Sequence, residues 1–349
     1  MSRDPEITVI VYAYNRREYL PCALRSLAQQ TLERERFEVV VIKNFTDPEC
    51  DRRIAELGAV SLYDETNSNG HCILRAIRAS RAPILTFLDD DDEYEPDRLD
   101  HIVQTLRKHP DVGFYRNRVS VIDAQGHAVP QDRWRPIELD ALFDSVGPIY
   151  LPPEGKANLF DLTMWQTSST FNTSSMAIRR ELLDGDAGET LERVPINMDS
   201  FFLLAGAISR LGVYLDNARL TRFRFAPRTL YRMYSGNSPR TVTSIRNSAI
   251  ALRAMSELAA RHGWRDFAGH LAKWSARCER FQLRGTLLEK IAEGAPKPEI
   301  LRLWKEFARF LLQDASVPRP DVWMANAYAL TYLFAPRLAS RLARAETIA

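Results

Sequence analysis

Cysteine is scarce in this chain: Cys22, Cys50, Cys72 and Cys278 lie far apart, with no CxxC pair among them. Such spacing offers neither a zinc site nor a disulfide framework, so reduced thiols in a cytoplasmic protein are expected. Long apolar runs are missing too, and no stretch approaches the ~20 residues of a membrane-spanning helix. After Met1 the chain enters a strand pattern within six residues, without the basic and apolar regions of a secretory signal peptide. No GxGxxG follows that strand and no Walker lysine motif occurs, which removes the usual dinucleotide and P-loop phosphate sites. There is no internal repeat or low-complexity tract, and no nucleic-acid partner is expected.

What remains is an ordinary globular composition, 349 residues with 45% apolar and 26% charged, enough for one large domain or two smaller ones. The formal charge of +2 conceals an asymmetry. Residues 236–349 carry 18 Lys/Arg against 10 Asp/Glu, whereas 1–235 carry 29 against 35. An acidic front and a basic rear imply two regions with different partners.

In the front, β-branched runs at 7–12, 38–42, 59–63 and 84–88 alternate with helical patterns at 18–30, 48–57 and 71–79. Strand–helix alternation predicts βαβ units and a parallel sheet. Further on, 112–115, 119–123, 174–178, 213–216 and 220–225 read as strands, 184–189 as a turn and 200–208 as a buried helix. Residues 131–171, with Trp134 and Trp165, are irregular. Past Asn237 the pattern is helical, with breaks near Gly263, Gly294 and Pro318.

The strand at 84–88 runs straight into Asp89-Asp90-Asp91-Asp92. Four adjacent carboxylates repel, and burying one unpaired is costly, so such a cluster is either solvated or neutralised by a cation. One reading is an acidic turn capping the helix that Pro96 opens. The other is a ligand site, favoured because open α/β sheets bind ligands at the carboxyl ends of their strands. Hard oxygen ligands there suit Mg2+ or Mn2+. Asp199, just ahead of the buried helix, reads either as an N-cap or as a general base.

Three landmarks in order give the chain a likeness: Val11-Tyr12-Ala13-Tyr14-Asn15-Arg16, then Phe87-Leu88-Asp89-Asp90-Asp91-Asp92 with Pro96, then Met198-Asp199-Ser200-Phe201-Phe202-Leu203. Together they resemble the family-2-type inverting nucleotide-sugar glycosyltransferases with a GT-A fold. The resemblance covers about residues 1–235 and implies an α/β catalytic domain, a Rossmann-like mixed sheet flanked by helices. Residues 236–349, which it does not cover, form the expected α-helical C-terminal region. It implies a nucleotide-binding loop at Ala13, Tyr14, Asn15 and Arg16, and a DxD pair at Asp89 and Asp91. Asp91 would be the direct ligand of Mn2+ or Mg2+, with Asp89 nearer the ribose or the ion's water shell. Asp90 joins the donor site, although it and Asp92 read as solvated or helix-capping. Asp199 would be the single catalytic base, which implies inversion at the anomeric carbon.

The chain also departs from the family pattern. Lys43-Asn44-Phe45-Thr46 stands where Asp-Asp-Gly-Ser is common, leaving Asn44 to meet the nucleotide base through its amide. Ile73-Leu74 replace an Arg-Asn pair, with Arg75 alongside, and Tyr234 replaces a histidine in Tyr231-Arg232-Met233-Tyr234. Arg75 and Arg232 are the candidates for the donor phosphates. The implied partners are a nucleoside-diphosphate sugar and a glycan or lipid-linked acceptor. Two other classes fit parts of the pattern: a nucleotidyltransferase, and a non-catalytic nucleotide- or carbohydrate-binding protein with a decayed site. At the rear, residues 322–335 are uncharged and rich in aromatics, and Arg337, Arg341 and Arg344 share a helical face beyond them. That segment suits either a fold-back or dimer contact, or an amphipathic helix lying on the inner face of a membrane.

Overall fold

The computed structural model describes residues 4–130, 147–154, 172–225, 242–313, 327, 329, 331–332 and 335–340. Its first half is a run of βαβ units. Strands β1 (Ile7–Ala13), β2 (Phe37–Lys43), β3 (Val60–Tyr63) and β4 (Ile84–Asp89) are connected by α1 (Leu20–Ala28), α2 (Pro48–Glu56) and α3 (Asn69–Arg78). They pair in parallel in the order β3-β2-β1-β4. Successive residues of β1 are buried, so both its faces are covered, as a central parallel strand requires. At α2, Asp47 accepts the Cys50 N–H at 3.0 Å and Pro48 follows with φ already set, so local sequence alone starts that helix.

The second half comprises β5 (Glu93–Tyr94), α4 (Arg98–Lys108), β6 (Val112–Ile122), β7 (Ile149–Leu151), β8 (Met176–Arg179), α5 (Asp186–Glu192), α6 (Met198–Ile208) and β9 (Gly212–Arg224). The sheet continues β4-β8-β6-β9-β5, with β7 also on β9. Strand β8 runs antiparallel to both β4 and β6, so the sheet is mixed, with parallel pairing among the first four strands and again between β6 and β9.

Three expectations are corrected here. The strands at 112–115 and 119–123 are one strand, β6, because Arg116, Asn117 and Arg118 interrupt the apolar pattern while staying buried. Likewise 213–216 and 220–225 form the single strand β9. Within it Asp216 is buried, accepting the Tyr115 hydroxyl at 2.9 Å and pairing with His101 at 2.7 Å. The turn at 184–189 becomes α5, entered from Gly185 at φ 67°.

Two close approaches fix where the helices lie. A Cβ on Gly70 would meet the backbone oxygens of Leu191 and Val194 at 2.0 and 2.5 Å. A Cβ on Gly206 would sit 2.6 Å from that of Phe114, so α6 lies directly on β6. Helix α6 is apolar on nearly every side, and its Phe202 stacks on Phe87 of β4 with ring centroids 4.3 Å apart. Arg98 is fully buried and, among the described residues, has no carboxylate partner. It donates to Thr86 Oγ1, Asn117 Oδ1 and Thr221 Oγ1, and its guanidinium lies 3.9 Å from the Tyr94 ring centroid. That cation ties β4, β6 and β9 together.

The chain divides into two compact units, 1–229 with 254–268, and 230–253 with 269–349. Helices α7 (Val242–Arg261), α8 (Arg265–Glu293) and α9 (Lys297–Gln313) follow the sheet, broken at Gly263 and Gly294, both at positive φ. Within the second unit, Leu287, Ile291, Ile300 and Leu303 pack with Ala329, Tyr332 and Ala339. Most of 322–335, together with Arg341 and Arg344, lies outside the described residues. No helix among the described residues is long and apolar enough to cross a membrane.

Candidate active site

The register of the parallel strands gathers their carboxyl ends: Tyr12 stands opposite Asp89, and Ala13 opposite Lys43. Beyond Ala13 the chain turns through Asn15, whose φ of 56° is tolerable for asparagine. The Asn15 N–H donates to Asn44 Oδ1 at 2.7 Å, and Asn44 Nδ2 donates back to Asn15 Oδ1 at 2.8 Å. The loops after β1 and β2 are thereby latched. The Tyr14 ring stacks near that of Tyr12, centroids 6.3 Å apart. Arg16 reaches across to donate to Asp91 Oδ2 at 2.5 Å and to Asp90 Oδ1. Lys43 turns away instead, buried against α2, where it meets the Phe45 carbonyl and Asp51.

The expectation that Asp90 and Asp92 are solvated or helix-capping is overturned. Each is 1% exposed, Asp91 is 7% exposed, and α4 begins after Asp97 instead. The fold keeps them by supplying donors. Asp92 accepts the Arg224 N–H at 2.9 Å and the Asn172 side-chain amide at 2.7 Å, while Asp89 N–H donates to Ser174 Oγ at 3.0 Å. Arg224 also binds the Asp91 carbonyl through Nε at 2.8 Å and pairs with Glu93. Even so the cluster is under-neutralised. Burial and the repulsion of Asp91 push Asp92 up to about 7. Burial and the charges of Asp92 and Asp91 carry Asp89 well above the usual carboxylate range, and Asp90 Oδ2 is buried with no partner among the described residues.

Asp89, Asp91 and Asp92 each bring one carboxylate oxygen within 4.8 Å of the others. A crowded, all-oxygen, excess-negative set of this kind fits a hard divalent cation such as Mg2+ or Mn2+. Asp92, left out of the expected ligand pair, belongs to this cluster.

Asp199 is not an N-cap. Helix α6 starts at Met198 from Asn197, which is left-handed at φ 65°, and Asp199 lies in the first turn accepting the Ser200 N–H at 2.7 Å. Burial pushes its carboxyl up to about 6, against the opposing pull of the Ser200 and Asn172 N–H groups and the Arg116 charge. Asn172 links it to the aspartate cluster, bonding Asp199 through its backbone N–H and Asp92 through its side chain.

Asn172 is the residue that sequence reasoning missed most completely. Its side chain holds Asp92, its backbone N–H holds Asp199, and its own backbone is left-handed at φ 68°. It follows an irregular stretch with no periodicity to single it out; Ser174 and Arg224 carried equally little signal. Of the two phosphate candidates, Arg75 is engaged by Asp64 and the Tyr63 carbonyl at the end of β3. Arg232 lies outside the described residues, as do Trp134, Trp165 and Tyr234.

Comparison with known proteins now bears on these features. The model of a family described as Glycosyl transferase family 2 matches residues 8–185. An uncharacterized glycosyltransferase of Haemophilus influenzae is 32% identical over 114 residues, 31% of this chain and 37% of that protein. One from Rickettsia prowazekii is 25% identical over 145 residues, 39% of this chain and 45% of its own length. The chain spans less than half the length of either relative. Among solved structures, S. aureus TarS 1–349 aligns with 96% of this chain and 88% of its own, at a TM-score of 0.53 and 14% identity. The same TarS portion in complex with UDP-GlcNAc aligns at a TM-score of 0.52. At that identity the likeness speaks to the fold, a mixed sheet flanked by helices with a helical rear.

Proposed function

Because this chain belongs to glycosyl transferase family 2, we propose that it moves a sugar from a nucleoside-diphosphate sugar onto an acceptor hydroxyl, with inversion and with the help of Mn2+ or Mg2+. The observation that carries this reading is the juxtaposition of two kinds of acid at one sheet end. One is an under-neutralised, all-oxygen aspartate cluster; the other is the half-buried Asp199, its carboxyl raised to about 6.

In this reading Asp91, with Asp89 and Asp92, holds the cation, which when bound supplies Lewis-acid stabilisation of the leaving diphosphate. Ala13, Tyr14, Asn15, Arg16, Asn44 and Asp90 form the nucleotide side, and Arg75 and Arg232 remain the candidates for the donor phosphates. Asp199 accepts the acceptor's hydroxyl proton as that oxygen bonds to the anomeric carbon. On the opposite face the bond to the diphosphate breaks, releasing nucleoside diphosphate. One base acting in one displacement gives inversion. In this reading the catalytic domain is residues 1–235 and the helical region 236–349. The acceptor is a glycan, free or lipid-linked, and a cytoplasmic location with peripheral contact at the inner membrane face would bring a lipid-linked one within reach.

The test is to incubate the protein with UDP-, GDP- and dTDP-sugars, with and without Mn2+, and to identify the released product. Free nucleoside diphosphate, dependent on metal and lost with EDTA, is the expected result. Pyrophosphate released from a nucleoside triphosphate and a sugar 1-phosphate in a parallel incubation, with the nucleotide sugars left intact, would make the protein a nucleotidyltransferase, and ligand-induced thermal stabilisation without turnover would make it a binding protein.

A further inference from the structure

Arg16 spans two adjacent aspartates, donating through Nη1 to Asp91 Oδ2 at 2.5 Å and through Nη2 to Asp90 Oδ1. Among the described residues, both ion pairs made to the four aspartates come from this one guanidinium. Arg224, close by, spends its side chain on Glu93 and on the carbonyls of Asp91, Asp123 and Ala124. Without Arg16, Asp90 and Asp91 would be buried charges lacking a countercharge, the arrangement that costs a fold most.

Yet Asp91 is also central to the oxygen cluster it shares with Asp89 and Asp92. A guanidinium and a divalent cation on the same carboxylate repel each other, and Arg16 already occupies Asp91 Oδ2. We infer that Arg16 is the resident counter-ion of the aspartate cluster, and that a divalent cation enters by displacing its guanidinium from Asp91. This rests on the cation reading proposed above.

The placement of Arg16 suits such an exchange. Its neighbour Asn15 is latched to Asn44, so the loop backbone is held. The Arg16 side chain is 24% exposed and has a route to solvent, whereas Asp90 is 1% exposed and has none. A freed guanidinium would find the oxygens of a diphosphate geometrically apt, since its fork matches phosphate. Cation and diphosphate binding are then coupled, each raising the other's affinity by the same factor.

Mn2+ binding without any donor, followed by the electron-spin signal of the free ion, tests the exchange directly. Arg16→Met, which removes the charge and keeps most of the bulk, should tighten Mn2+ by about tenfold, within the usual range of couplings between sites. Arg16→Lys, which keeps a positive charge, should stay close to wild type. Asp91→Asn should abolish binding in either background. If Arg16→Met is folded by circular dichroism and binds Mn2+ no more tightly than wild type, the exchange is wrong while the cation site stands. If no protein, wild type included, binds Mn2+, the cation reading and the exchange fall together. Should Arg16→Met not fold, the wild type decides. In protein labelled with 15N-arginine, the Arg16 Nε–H resonance, assigned by its loss in Arg16→Lys, should shift as Mg2+ is added. A resonance that stays put while calorimetry records Mg2+ binding overturns the inference.

Discussion

Asp199 sits in the first turn of α6 with its carboxyl raised by burial to about 6. A base must be ionised to take a proton, so the acid limb of kcat/KM should fall away as pH drops below about 6, later than an ordinary aspartate near 4 would give. The same shift works against stability: the folded state disfavours the charged form, so this group's contribution declines as pH rises from about 4 through 6. Activity should therefore rise over that interval while the stability difference between Asp199→Asn and wild type moves in favour of the variant, which paired rate and melting measurements on the two would show. Asp199→Asn should lower kcat by about 10²–10⁴-fold with donor affinity near wild type. Loss of donor binding would move Asp199 to the donor side. Asp91→Asn should end turnover and remove the Mn2+-dependent part of nucleotide binding while leaving the fold intact. Activity indifferent to EDTA would defeat the cation account.

At the scale of elements, what could be read from sequence was what local chemistry determines. Helices α1 to α3 show their periodicity, α2 carries its own cap in Asp47 and Pro48, and β1, β2 and β4 are unbroken β-branched or apolar runs. The breaks at Gly263 and Gly294 were equally plain. Strand β6 was split in two by Arg116-Asn117-Arg118, because a buried polar residue with tertiary partners looks like a surface residue in the sequence, and β9 was split at Asn217-Ala218-Arg219, where its pairing with β6 passes irregularly from Leu215 to Arg219. The same blindness made Asp90 and Asp92 look solvated, since the donors to Asp92, Asn172 and Arg224, lie 80 and 132 residues away and the donor to Asp90, Arg16, lies 74 away. Two element-level tests follow. Asn44→Ala removes both hydrogen bonds of the β1–β2 latch and, in the proposed site, a contact to the nucleotide base. It should change the ranking among donor bases, and an unaltered ranking would take Asn44 out of the site. Gly70→Ala drives a methyl into the Leu191 and Val194 carbonyls where α3 meets α5. Neither oxygen can move without its helix end, so a loss of about 1–3 kcal/mol is expected, and a melting temperature equal to wild type would contradict the packing described.

For the molecule as a whole, the charge asymmetry is the feature that the sheet and its acids leave unexplained. The rear carries the excess of Lys/Arg, 18 against 10 Asp/Glu over 236–349. Its last described helical turn shows how such a surface could meet an anionic membrane. Tyr332 and Ala339 are turned inward among Leu287, Ile291 and Ile300, and the Tyr332 hydroxyl donates to the Ala295 carbonyl at 2.5 Å. Arg337 and Leu338, by contrast, face outward, with Leu338 53% exposed. One side of the segment is thus committed to the helical unit while the other offers an arginine beside a bare leucine, the pairing that interfacial binding uses. Deleting the segment would tear out the packed Tyr332 along with the surface, so substitution is the cleaner probe. Wild type should float with vesicles rich in anionic lipid at low salt, and the double variant Arg337→Glu with Leu338→Glu should not, since each basic residue near such a surface contributes about 1 kcal/mol. The variant should melt like wild type, because neither side chain is buried. Equal flotation of the two, or none by either, would remove the membrane contact and leave the rear as a helical unit that packs on protein alone.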